Sequence, residues 1–133
     1  MNQEEIQEKK LFIIDGQLIG AILYIVSLLI SIVIIIDQRK SALNKERILT
    51  NSEAQSLALA NKIFIFLLII WFLYLNYKSY EFSKDTNQNT SSLKLQIFAS
   101  FLSIIAAIIG IYVVYTDFSN TNLQTAEIEN PEL

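Results

Sequence analysis

The side chains in this sequence that could take part in chemistry are carboxylates, lysines and arginines, because it contains no histidine and no cysteine. That excludes thiol chemistry, disulfides, zinc sites of the usual kind and any Ser-His or Cys-His nucleophilic pair. Paired carboxylates occur only as Glu4, Glu5 and Glu8 near one end and as Glu127 and Glu129 near the other. Both groups are placed where water would solvate them, not where a fold would hold two carboxyl groups at a fixed separation for acid–base work. The three glycines, Gly16, Gly20 and Gly110, lie too far apart to build a phosphate-cradling or dinucleotide loop, and no HExxH or GxSxG pattern occurs. We expect no enzyme, no cofactor and no metal site.

The remaining charges bracket long apolar stretches. Of 133 residues, 53% are hydrophobic and 17% charged, and the hydrophobic ones gather into three uncharged runs instead of spreading at the 2.0 or 3.6 spacing of a water-soluble core. Residues 16–36 form the first run. At about 1.5 Å per residue they cover the roughly 30 Å hydrocarbon thickness of a bilayer. Asp37, Arg39 and Lys40 follow this run where a cleaved signal peptide would carry a small-residue site, so it reads as an uncleaved helix. The third run, 95–116, is as long and is bounded by Lys94 and Asp117. The second is shortest, because the uncharged stretch covers only 63–77. It reaches full length over 57–77 if the Lys62 ammonium snorkels to the interface along its aliphatic stem. Trp71, Tyr74, Tyr77 and Tyr80 mark its far end, where amphipathic rings favour the headgroup level.

The sequence thus predicts an all-α integral membrane protein, a single domain over 1–133 with three transmembrane helices, about 17–36, 57–77 and 95–116, in a small antiparallel bundle. Thr50 and Glu53 have the spacing of a capping box for the second helix, and Ser91 or Ser92 is placed to cap the third. Residues 1–10 are expected to form a short amphipathic turn. The acidic segment 118–133, with Glu127, Glu129 and Glu132 and no basic residue, reads as a disordered tail.

Orientation rests on a tie. Lys9, Lys10, Lys78, Lys84 and Lys94 fall on one side, and Arg39, Lys40, Lys45, Arg47 and Lys62 on the other. Weighting the first helix favours the head outside and the first loop and tail inside, in a bacterial plasma membrane.

Small residues predict which helices touch, because packing in lipid relies on close backbone approach and on hydroxyls that bond across the interface. Gly16, Gly20, Ser27 and Ser31 share one face of the first helix, and Ala99, Ser103, Ala106, Ala107 and Gly110, with Gln96, one face of the third. The expectation is a seam between helices one and three, with helix two set against them through larger side chains. Charges at neighbouring helix ends are expected to pair: Lys62 with Asp117 or Asp37 on one side, and Asp15 with Lys78 or Lys94 on the other. A proton or ion path through Lys62 or Asp15 is the sharper alternative, but neither lies near the middle of a span. The cluster Arg39, Lys40, Lys45 and Arg47 reads as a solvated, topology-setting loop, with attraction to anionic lipid heads as its alternative. Nucleic-acid binding is not expected from a small patch in a chain of net charge -3.

The function these features favour is an accessory or regulatory subunit that works through helix contacts with a membrane-protein partner or with copies of itself, in the lipid bilayer. A holin-like membrane-permeabilising oligomer is the rival, weakened by the acidic tail. A small membrane immunity protein also fits the size and topology.

Overall fold

The first helix, α1, spans Gln3–Ala42, 40 residues, and begins where Asn2 accepts the Glu5 N–H on its side-chain oxygen at 2.8 Å. Glu4 and Glu5 lie in the first turn and Arg39 and Lys40 in the last, each sign at the end of the helix dipole that favours it. With a good cap and no glycine or proline before Gly16, nothing interrupts the helix at the expected turn over 1–10. The head is instead the first part of α1. In the computed structural model, the backbone is described for residues 2–120 and the side chains for residues 2–116.

α1 stops at Asn44, whose φ of 54° is left-handed, a conformation asparagine tolerates better than most residues. The turn sends the Asn44 N–H to the Ser41 carbonyl at 3.1 Å and the Lys45 N–H to the Lys40 carbonyl at 2.9 Å, satisfying groups the helix end would otherwise leave bare. The second helix, α2, spans Asn51–Asp85 and opens with the expected capping box: Glu53 N–H donates to Thr50 Oγ1, and Thr50 N–H to Glu53 Oε1, each at 3.2 Å. It closes as α1 does. Asn87 has a φ of 57°, and the Asn87 and Gln88 N–H groups return to the Lys84 and Ser83 carbonyls.

The third helix, α3, spans Ser91–Asn120. Lys94 N–H donates to the Thr90 carbonyl, so the helix starts one residue before the expected caps, and Asn89 Oδ1 takes up the Ser91 N–H. α3 also runs to Asn120, into the segment read as tail. The rest of that segment, with Glu127, Glu129 and Glu132, lies outside the described residues.

Every regular element among the described residues is helical, and each of the three helices is long and apolar enough to cross a membrane. The chain is a multi-pass helical bundle with its apolar side chains turned outward, as lipid permits and water would not.

The order of packing differs from the expectation. α2 lies in the middle, packed on α1 along one side and on α3 along another, while α1 and α3 meet only marginally. The reason is a large-into-small fit. A Cβ on Gly16 would stand 2.8 Å from Leu75 Cδ2 and 3.1 Å from Trp71 Cζ2, and one on Gly20 would stand 2.6 Å from Phe72 Cζ. The small residues of α1 form a trough that the bulky residues of α2 fill, and small residues on α3 are not needed for it. The buried residues of α1 repeat at Ile13, Gly16, Gly20, Ser27, Ser31 and Ile34, a narrow seam at the spacing of left-handed helix pairs. On α3 the less exposed line is Ile97, Ser100, Ile104, Ala107, Ile111 and Val114, at alternating steps of three and four.

Candidate functional site

The α1–α2 seam carries the polar groups that the bilayer would penalise if left alone. Ser27, Ser31 and Asn61 are 0%, 1% and 2% exposed. Ser27 Oγ donates to Asn61 Oδ1 at 2.7 Å, and Asn61 Nδ2 donates to Ser31 Oγ at 2.9 Å. One amide thus bridges two hydroxyls a helical turn apart on the facing helix, and only one register of α1 against α2 allows it. Nearer the opposite face, Trp71 Nε1 donates to the Gly16 carbonyl at 2.9 Å, a main-chain oxygen that Gly16 and Gly20 leave accessible by lacking side chains. Residues that rise along α1 meet residues that fall along α2, so the pair is antiparallel. A second, lighter link joins α2 to α3, where Asn76 Nδ2 donates to Ser100 Oγ at 3.0 Å and Ser100 Oγ donates to the Gln96 carbonyl.

At the linker face a second network closes the turn between α1 and α2. The Asp37 side chain is fully buried, and its Oδ2 accepts from Arg47 Nε at 3.1 Å and from the other Arg47 nitrogen, which forms the ion pair. Its Oδ1 accepts the Leu49 N–H at 2.9 Å. Arg47 also donates to Asn51 Oδ1. A carboxylate just past the apolar run therefore gathers the linker 43–50 onto the end of α1.

The expected charge pairs are placed as follows. Asp37, one of the two carboxylates expected beside Lys62, is taken up by Arg47 and the linker. Lys62 is buried at 4% exposure, and the side chain of Asp117 lies outside the described residues. On the other side, Lys78 lies 3.6 Å from Glu81, three residues on along its own helix, and 5.6 Å over the Tyr74 ring. Asp15 and Lys94 are exposed, and no ion pair joins them to each other or to Lys78 among the described residues. The structure therefore replaces cross-helix pairing there with a local contact, since side chains that reach water gain little from a distant partner.

The small residues divide. Gly16, Gly20, Ser27 and Ser31 are all buried, facing α2. On α3, Gly110 is buried and Ala106 half-buried, whereas Ala99 and Ser103 are exposed together with Gln96. Ser103 bonds back to the Ala99 carbonyl at 3.0 Å and, among the described residues, to nothing across an interface.

Sequence reasoning did not single out Asn61, Asn76 or the Asp37–Arg47 pair. Asn61 and Asn76 carried a usable signal, being amides inside an otherwise apolar span, where a polar group needs a partner. For Asp37 the signal was a carboxylate one residue past the apolar run with an arginine ten positions on.

With Ser27, Ser31 and Asn61 all hydrogen-bonded to one another, the arrangement of the seam suits fixing helices in place. Among the described residues no cluster of three or more acidic side chains could hold a metal ion. No protein-family model, no curated protein and no solved structure matches the chain.

Proposed function

We propose that the chain is a small accessory or regulatory subunit of a bacterial plasma membrane, acting through helix contacts with a membrane-protein partner or with copies of itself and without catalysis. The observation that carries this reading is the exposed strip Gln96, Ala99 and Ser103 on α3. Small side chains beside an amide let a second backbone approach closely and offer it a hydrogen bond, and in this chain α2 and α1 leave that strip uncovered. The buried seam supports the same reading from the other side. It gives a rigid α1–α2 hairpin on which α3 can present a fixed face. The head lies outside and the linker and tail inside, as the weight of basic residues after α1 favours.

The test is affinity purification of the tagged chain from its native membrane in mild detergent, with mass spectrometry and a mass estimate of the complex, run beside Ala99→Phe/Ser103→Phe. A stoichiometric second protein, or a second copy, that is lost in the variant supports the proposal. A monomer alone in both overturns it. A homo-oligomer that makes vesicles leak would replace the accessory reading with the permeabilising one. Orientation is tested by a cysteine at Asn44 and a membrane-impermeant maleimide on intact cells, where strong labelling would reverse it.

A further inference from the structure

The end of α1 and the turn that follows hold three cations that the bundle does not use. Arg39 and Lys45 are exposed and Lys40 is half-exposed, and none of them forms an ion pair among the described residues. Arg47, by contrast, is committed to Asp37 and Asn51 and leaves the count. The geometry of the turn keeps the three together. The left-handed Asn44 folds Lys45 back so that its N–H bonds the Lys40 carbonyl at 2.9 Å, which puts Arg39, Lys40 and Lys45 within about one helical turn. Asp37 and Leu49 then pin the far side of the turn, so the cations sit on a closed loop and not on a loose one. Among the described residues the nearby acids are few: Asp37 is taken up by Arg47, Glu53 is occupied in the capping box, and Glu46 is exposed.

Two large apolar residues flank this basic rim without support from any helix. Leu43 is 50% exposed and Ile48 is 55% exposed, both outside the spans that lipid tails would cover. Bare leucine and isoleucine beside unpaired lysine and arginine match a surface that offers negative charge and hydrocarbon within a few ångströms of each other.

We propose that the turn 43–50, with the last turn of α1, docks on the headgroups of anionic phospholipids: Arg39, Lys40 and Lys45 engage the phosphates, and Leu43 and Ile48 enter between the headgroups. The charge complementarity selects acidic lipid over zwitterionic lipid, and the apolar pair selects a bilayer over a soluble anion.

The experiment uses the full chain in detergent micelles with one cysteine, Ser41→Cys, carrying an environment-sensitive dye, titrated with phosphatidylglycerol, with phosphatidylcholine and with inorganic phosphate. Phosphatidylglycerol is expected to shift the emission at a mole fraction on the order of a hundredfold lower than phosphatidylcholine, and millimolar phosphate is expected to do nothing. Each charge removed is expected to weaken the response roughly fivefold, so Arg39→Gln/Lys40→Gln/Lys45→Gln abolishes the preference while Lys40→Arg/Lys45→Arg keeps it. Removing three cations of the other face, in Lys9→Gln/Lys10→Gln/Lys94→Gln, leaves it intact. Leu43→Ser/Ile48→Ser weakens the response to both lipids. Equal midpoints for the two lipids, an unaltered preference in the first triple variant, or an equal response to inorganic phosphate each overturns the assignment.

Discussion

At Gly20 the addition of a single methyl group meets the edge of a ring, and at Gly16 it meets the end of a leucine. The difference decides the cost. Phe72 Cζ and Cε1 lie 2.6 and 2.9 Å from the Gly20 Cβ position and belong to a rigid plane, whereas Leu75 Cδ2, 2.8 Å from that of Gly16, can swing aside. Gly20→Ala should destabilise the bundle by about 1–3 kcal/mol, with Gly16→Ala costing less, measured by denaturant or steric-trap unfolding in micelles. Asn61→Ala removes both bridging hydrogen bonds and should cost about 1–2 kcal/mol in the same assay. The cost stays in that range because Ser27 and Ser31 can turn back to carbonyls of their own helix. The four small residues of α1 were legible as a packing face from their spacing alone. The partners of Asn61 were not, because a period of 3.6 describes one helix at a time and says nothing of which residue on the next helix stands opposite.

At the scale of elements, helix ends are set by local chemistry that sequence exposes well. The Thr50–Glu53 box stands as read, and Thr50→Ala should cost about 1 kcal/mol of stability. The start of α3 slipped by one residue because Thr90 and Ser91 are both cap types, serine the better of the two, and the path of the preceding turn overrides that small preference. The fate of Asp37 was hidden for a different reason: pairing with Arg47 depends on a turn closed by a left-handed Asn44, and asparagine adopts that conformation by context more than by rule. The pair should be asymmetric to mutation. Arg47→Gln leaves a fully buried carboxylate with one main-chain donor and should cost about 1–3 kcal/mol. Asp37→Asn leaves an arginine that is 27% exposed and can be solvated, so it should cost less. Hydrogen exchange at the Leu49 amide should accelerate in both, and more in the first.

For the whole molecule, apolar run lengths were enough to give three spans and an all-helical bundle, since in lipid each backbone group must be satisfied within its own helix. The neighbour relations were not so accessible. Matching small residues with small residues paired α1 with α3, while the molecule pairs the small residues of α1 with the tryptophan, phenylalanine and leucine of α2. The absence of native cysteine makes the order of helices directly testable. Ser27→Cys/Asn61→Cys should close to a disulfide under mild oxidation and lose reactivity to maleimide, whereas Ser27→Cys/Ser103→Cys should stay open. Reversal of those two results would restore the α1–α3 seam. The indole of Trp71, bonded to the Gly16 carbonyl, has one more consequence at this scale. It is the sole tryptophan of the chain and sits on the joint that holds the first hairpin shut. The protein is thus born with an optical gauge: the colour of its own ultraviolet emission responds, without any label, when the indole leaves that joint.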